Sequence, residues 1–135
     1  MHIVILGCGR VGSLLAHRLD DLGHSVAIVD QDPGAFRKLG GDFSGQTVTG
    51  VGFDRETLET AGIERASSFA AVSSGDNSNI LAARVARETY GVESVVARIY
   101  DLQSAPETRD VMTYVDENGA RVSHSYLLPK TADDL

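Results

Sequence analysis

Residues 2–30 read His2-Ile3-Val4-Ile5-Leu6, then Gly7-Cys8-Gly9-Arg10-Val11-Gly12, then an amphipathic stretch, then Val26-Ala27-Ile28-Val29-Asp30. A continuous apolar run suits a parallel strand covered on both faces. It leads into a G-x-G-x-x-G turn. A helical pattern follows, with Val11, Leu15, Leu19 and Leu22 on one face and Gly23 as its left-handed stop. A second apolar strand then ends in Asp30, 18 residues past Gly12. Strand, glycine turn, helix, strand and acidic residue in this order form the fingerprint of a Rossmann-type nucleotide site.

The same rhythm runs outward from that stretch. Asp32-Pro33 opens a helix with Phe36 and Leu39 on its apolar face, ended by Gly40-Gly41. Thr47-Val48-Thr49 reads as a third strand, followed by the turn Gly50-Val51-Gly52-Phe53. Asp54 caps a helix carrying Leu58 and Ala61 and stopped by Gly62. Residues 68–72 form a fourth strand, Ser73-Ser74-Gly75-Asp76 the loop after it. A helix over about residues 77–90 then packs through Leu81, Ala82, Val85 and Ala86, and residues 94–99 form a fifth strand. The repeat predicts a single-domain α/β protein, a Rossmann-like doubly wound parallel sheet with right-handed crossovers. Ligands of such sheets bind at the carboxyl ends of the strands, where residues 7–12, 30–32, 50–54 and 73–76 fall. After Tyr100 the rhythm changes. Residues 101–110 are polar, residues 111–115 and 121–128 suggest a hairpin with Asn118-Gly119 in its turn, and residues 129–135 suggest a frayed tail.

Composition bounds the function. The chain has 135 residues, 42% hydrophobic and 23% charged, with a net charge of −7. The length is that of one domain. An acidic chain suits neither nucleic acid nor an anionic membrane surface. No apolar run reaches the roughly 20 residues of a membrane span, and no signal-peptide pattern opens the sequence. A single cysteine excludes an internal disulfide. A cytoplasmic protein without metal is expected: the four histidines show no metal spacing, and neither H-E-x-x-H nor C-x-x-C occurs.

Each candidate residue has a chemical reason. Gly7 permits the tight turn, Gly9 lets backbone approach phosphate, and Gly12 lets the helix pack against its strand. The helix start and its dipole attract anions. Asp30 can accept the ribose hydroxyls and would repel a 2′-phosphate; the competing role is a helix cap, which Asp32 already fills. Arg10 in the glycine loop reads either as a phosphate partner or as a solvated surface arginine. Cys8 reads as a small neutral side chain, with a thiol activated by the helix start as the alternative. Asp76, Asn77 and Asn79 stand at the start of the fourth helix, where capping accounts for Asp76 or Asn77. Ser73 and Ser74 could line the cleft. Arg98 reads as a ligand or interface residue, or as half of an ion pair.

The combined motifs resemble one family. They are Gly7-Cys8-Gly9-Arg10-Val11-Gly12 with Asp30, Val48-Thr49-Gly50-Val51-Gly52-Phe53-Asp54, residues 58–63, Ala71-Val72-Ser73-Ser74-Gly75-Asp76-Asn77-Ser78-Asn79-Ile80, and Val96-Ala97-Arg98-Ile99-Tyr100-Asp101. The chain resembles the KTN domain, also called the RCK N-terminal or TrkA-N domain, of bacterial Trk and Ktr potassium uptake systems. The resemblance covers about residues 1–101; residues 102–135 form an extension that does not match the family's usual sixth strand. It implies a non-enzymatic cytosolic subunit that binds an adenine nucleotide (ATP, ADP or NAD(H)). It also implies pairing into a homodimer or higher oligomer against a membrane-embedded potassium transporter, with no direct membrane insertion, and gating of potassium flux by bound nucleotide. The candidate contacts are then Gly7, Cys8, Gly9, Arg10, Val11, Gly12, Asp30, Gln31, Gly52, Phe53, Ser73, Ser74 and Arg98. By the resemblance, Gly52 and Phe53 lie near the adenine and Arg10 senses the terminal phosphates. The rival reading is the cofactor half of a small NAD-dependent dehydrogenase, with His124 and Lys130 as candidate proton-transfer groups. A third is a redox module sensing NADH.

Overall fold

The computed structural model describes residues 1–99, 110–115 and 121–128, the last two segments by backbone only. The segment 100–109, the Asn118-Gly119 turn and the tail from Pro129 lie outside the described residues.

Among the described residues seven strands form one sheet in the order β3-β2-β1-β4-β5-β6-β7. They are β1 (His2–Leu6), β2 (Ser25–Asp30), β3 (Gln46–Thr49), β4 (Ser68–Ala71), β5 (Ser94–Ala97), β6 (Asp110–Val115) and β7 (Arg121–Leu128). β1 to β5 are parallel throughout, as the βα rhythm requires. β6 continues the parallel sheet beside β5 through Val96 and Thr113, and β7 returns antiparallel to β6 with an irregularity between Met112 and Thr113. The helices are α1 (Arg10–Asp21), α2 (Arg55–Thr60) and α3 (Asp76–Arg84).

The period-2 geometry of β1 sorts its buried side chains to two cores. Val4 and Leu6 join Val29, Leu58, Ile63 and Phe69 on one face; Ile3 and Ile5 join Cys8, Val11, Ala16 and Ile28 on the other. With both faces covered, β1 is apolar without alternation and wholly buried. The chain runs outward from β1 through β2 and β3, then crosses to β4 on the other side. The strand order therefore reverses between β1 and β4, and a crevice opens at their carboxyl ends.

Local signals behave as their chemistry dictates at most ends. Asp54 accepts the Thr57 N–H at the start of α2. Gly23 (φ 88°) ends α1 in a Schellman arrangement, with His24 N–H donating to Leu19 C=O and Gly23 N–H to Asp20 C=O. Four expectations change. The Asp32-Pro33 helix is a 3₁₀ segment over Pro33–Leu39. Leu22 is 72% exposed, because α1 ends at Asp21 and Leu22 projects beyond the packed face; Gly12, Ser13 and Ala16 are buried instead. Leu81 is exposed, and α3 packs through Asn79, Ile80, Ala82 and Ala83 before passing into a π-helical turn over Val85–Thr89. The N-cap of α3 is Gly75, with Asp76 already in the first turn, so neither Asp76 nor Asn77 occupies the capping position.

Candidate functional site

An open cleft of about 660 Å³ lies where the strand order reverses. That size suits a small-molecule ligand. Its floor is the glycine loop. Gly7 has φ 104°, and a Cβ there would lie 2.7 Å from the Ser73 backbone. A Cβ on Gly12 would run into the Gly7 carbonyl oxygen. These two glycines are required by the fold itself. Gly9 is different: a Cβ there would meet no atom of the described residues within 4 Å, and its backbone is extended (φ −91°). Among the described residues no contact demands glycine at position 9, which lines the open cleft.

Gly9 is also the N-cap of α1. It provides no side-chain cap, and the first turn of α1 carries no acidic residue. The first backbone N–H groups of a helix have no intrahelical acceptor. Here the dipole's positive end faces the cleft with no side-chain cap and no acidic residue in the helix's own first turn, an arrangement that attracts anions.

Asp30 forms the next wall and has a structural task that its sequence position did not reveal. Its Oδ2 accepts the Cys8 N–H at 2.8 Å, and its Oδ1 accepts the Asp32 N–H at 2.9 Å. The carboxylate thus ties the glycine loop to the end of β2, assisted by the Gly7 N–H donating to Val29 C=O at 2.7 Å. Each carboxylate oxygen retains acceptor capacity for a hydroxyl. Asp32, as its sequence context implies, caps the 3₁₀ segment by accepting the Gly34 N–H at 2.9 Å.

Cys8 is fully buried, and its thiol lies 3.4 Å from the Ala35 carbonyl. Burial, then the charge of Asp30, push the thiol pKa above its ordinary value, while Lys38 opposes them. An activated thiol is therefore corrected: the environment favours the neutral form, and the residue packs as a small apolar side chain.

Gly7, Cys8, Gly9, Arg10, Val11, Asp30, Gln31, Gly52, Ser73, Ser74 and Arg98 all line the cleft. Gly12 lies beneath it as a packing position. Phe53 is 39% exposed and is not among the lining residues; Gly52 turns into the cleft against the Leu6 side chain, and Phe53 is left facing outward. Sequence reasoning missed Leu6, Ala35, Lys38, Val72 and Ser78 as lining residues, whereas Asp32 and Gly75 fall in the loops it placed at the ligand end. Ala35 and Lys38 are three apart on a 3₁₀ segment, where i and i+3 eclipse, so both face the same way. The Asp32-Pro33 start fixes that phase and was the available signal. The lining holds three cationic side chains (Arg10, Lys38, Arg98) and two carboxylates (Asp30, Asp32), in a chain whose net charge is −7. Among the described residues no cluster of three or more His, Cys, Asp or Glu side chains could hold a metal.

By fold this is a Rossmann-type domain with an open cleft at the strand-order reversal. The sequence model of the TrkA-N domain matches residues 3–117, and the chain belongs to that family. It is 67% identical over 105 residues to the Trk system potassium uptake protein TrkA of Streptomyces coelicolor, a match covering 78% of this chain and 47% of that protein. It is 34% identical over 119 residues to the TrkA homolog of Pyrococcus horikoshii, covering 86% and 52%. The chain thus spans about half the length of these relatives. Among solved structures it is similar to the RCK domain of GsuK (TM-score 0.64, 26% identity, 77% of this chain and 22% of that one). It shares its fold with the TrkA-N domain of the Escherichia coli inner membrane protein ybaL (TM-score 0.68, 20% identity, 77% and 76%). The two relatives are named for potassium uptake and not for a catalysed reaction. Among the described residues no helix is long and apolar enough to cross a membrane.

Proposed function

We propose that this domain binds an adenine nucleotide in the cleft and that the bound nucleotide regulates a Trk-type potassium transporter. The observation that carries the reading is the contrast among the three glycines. Gly7 and Gly12 are dictated by internal contacts, whereas Gly9 is bare toward the cleft at the uncapped start of α1. A position free of a side chain, beside helix-start N–H groups that have no intrahelical acceptor, fits close approach by phosphate.

The chain's own groups divide the work. The N–H groups at the start of α1 hold phosphate. Asp30 accepts ribose hydroxyls while keeping the loop anchored through Cys8. Gly52, packed on Leu6, lines the base side, and Arg10 and Arg98 supply positive charge. Asp30 disfavours a 2′-phosphate at the same position, so ATP, ADP, AMP and NAD(H) are preferred over NADP(H). The nucleotide supplies phosphate charge whose amount differs between competitors; no bond is made or broken.

Regulation follows from linkage. A nucleotide shifts a transporter only through its differential affinity for two arrangements of the assembly. The domain acts as the nucleotide-reading part of a subunit that pairs with a second copy and docks at the inner face of the membrane on a potassium-transporting protein. The relatives' names support potassium uptake as the context. Calorimetric titration of the purified protein with ATP, ADP, AMP, NADH and NADPH tests the site. Saturable binding of one or more of the first four, with NADPH weaker, is expected. No binding of any at millimolar concentration would sink the proposal.

A further inference from the structure

Asn79 is completely buried on α3, and its side chain holds two walls of the cleft together. Its Oδ1 accepts the Ser73 N–H at 3.0 Å and the Ser73 hydroxyl at 2.6 Å. Its Nδ2 donates to the Ser73 carbonyl and to the Arg98 carbonyl, both at 2.9 Å. These four bonds use both amide donors and two acceptor lone pairs. The amide orientation is dictated by its partners: a flipped Asn79 would set its oxygen against two carbonyls and its NH₂ against an N–H.

The partners make this more than a local fastening. Ser73 follows β4 and Arg98 follows β5, and both line the cleft. Arg98 N–H donates to Ala71 C=O at 2.8 Å, which closes the same corner from the backbone side. Ser73 is also the residue whose backbone lies against Gly7, at the floor of the glycine loop. One buried amide therefore sets the height of the Ser73 loop, and through it the seat of Gly7, while fixing its distance from Arg98. Capping, the ordinary reason for asparagine near a helix start, does not apply, because Gly75 occupies the N-cap.

We propose that Asn79 is a positioning residue for nucleotide binding, holding the Ser73 loop and the Arg98 strand end in register so that these walls stand formed before ligand arrives. The proposal rests on the nucleotide reading above. Binding to a preformed wall avoids the cost of ordering it at the moment of association.

Asn79→Ala and the near-isosteric Asn79→Asp, in the whole chain, test it by calorimetry with ATP beside circular dichroism. In Asn79→Asp the two carbonyls lose their donor and face a carboxylate. Both variants are expected to bind ATP about tenfold or more weakly while folded, since several buried bonds are lost together. The part of the role exerted through Arg98 makes the losses less than additive: Asn79→Ala/Arg98→Ala binds ATP more tightly than the product of the two single losses predicts. Full additivity, or ATP affinity within about twofold of wild type in a folded Asn79 variant, overturns the proposal.

A measurement on the unaltered protein stands if neither variant folds. In ¹⁵N spectra without ligand, the Asn79 side-chain NH₂ is expected to exchange far more slowly than that of exposed Asn77. Exchange as fast as Asn77, slowed only by adding ATP, would show that the wall forms with the ligand and would refute the proposal. A wild-type protein that binds no nucleotide refutes the functional reading, while the side-chain exchange still decides whether the clamp exists.

Discussion

Gly9→Ala separates the ligand's demands from those of the fold. The added methyl meets no atom of the described residues within 4 Å, and the backbone at Gly9 is in an extended region open to alanine. Two stability effects nearly cancel. Alanine is a poorer N-cap than glycine by up to ~1 kcal/mol. It also reduces unfolded-chain entropy, worth about 0.4–1 kcal/mol. The net change should stay within about 0.5 kcal/mol, a Tm shift of about 2–3 °C for a domain of this size. Gly12→Ala is the control. Its methyl would overlap the Gly7 carbonyl oxygen, and overpacking of this kind costs about 1–3 kcal/mol or more. That corresponds to a Tm loss of roughly 4–15 °C. Thermal melts and calorimetry on the same samples read both effects. Gly9→Ala is expected to melt like wild type and to bind ATP at least about tenfold more weakly, or ~1.4 kcal/mol. Wild-type ATP affinity in Gly9→Ala, or a melt as low as that of Gly12→Ala, would refute the reasoning.

Other predictions follow from individual residues. Asp30→Ala removes the acceptor for the Cys8 and Asp32 N–H groups, so ATP affinity should fall by more than the loss of a ribose contact alone. Inorganic triphosphate, which has no ribose, should also bind more weakly; unchanged triphosphate affinity would limit Asp30 to the ribose. Arg10→Ala should blur ATP against ADP while leaving adenosine largely unaffected, and equal loss for all three would contradict a phosphate-sensing role. The Cys8 thiol should resist a thiol reagent at pH 8 until the protein unfolds, because burial raises its pKa; rapid labelling of native protein would contradict this. The sign follows from the same shift. A folded pKa above the unfolded value of 9.0 gives a contribution present below about pH 9 and lost as pH rises through the folded pKa. Cys8→Ala should remove that alkaline component from the melt profile.

The parts legible in the sequence are those with local causes. β1 and β2 show as unbroken apolar runs because both faces are covered. The glycine turn shows because Gly7 takes a positive φ and Gly12 would strike the Gly7 carbonyl five residues before it, and Asp32 and Asp54 cap their own helices. What was missed depends on partners far along the chain. Asn79 looks like any asparagine near a helix start, since its Arg98 partner is 19 residues away. The second task of Asp30 depends on Cys8, 22 residues before it. Lys38 reaches the cleft through the pitch of a 3₁₀ segment that an apolar pattern reads as α-helix. Leu22 and Leu81 fit a helical stripe, yet one lies past the end of its helix and the other faces away from the core.

The central claim is that nucleotide occupies the crevice at the carboxyl ends of β1, β2 and β4. The direct measurement is a titration of ¹⁵N-labelled protein with ATP, following backbone amide signals. Those of Cys8, Gly9, Arg10, Gln31, Gly52 and Ser74 should move together along one saturable curve. Gly23, His24 and Gly45, which line a hollow at the opposite end of the sheet, should stay in place. Movement confined to that opposite end, or no movement at millimolar ATP, ADP, AMP or NADH, would contradict the account.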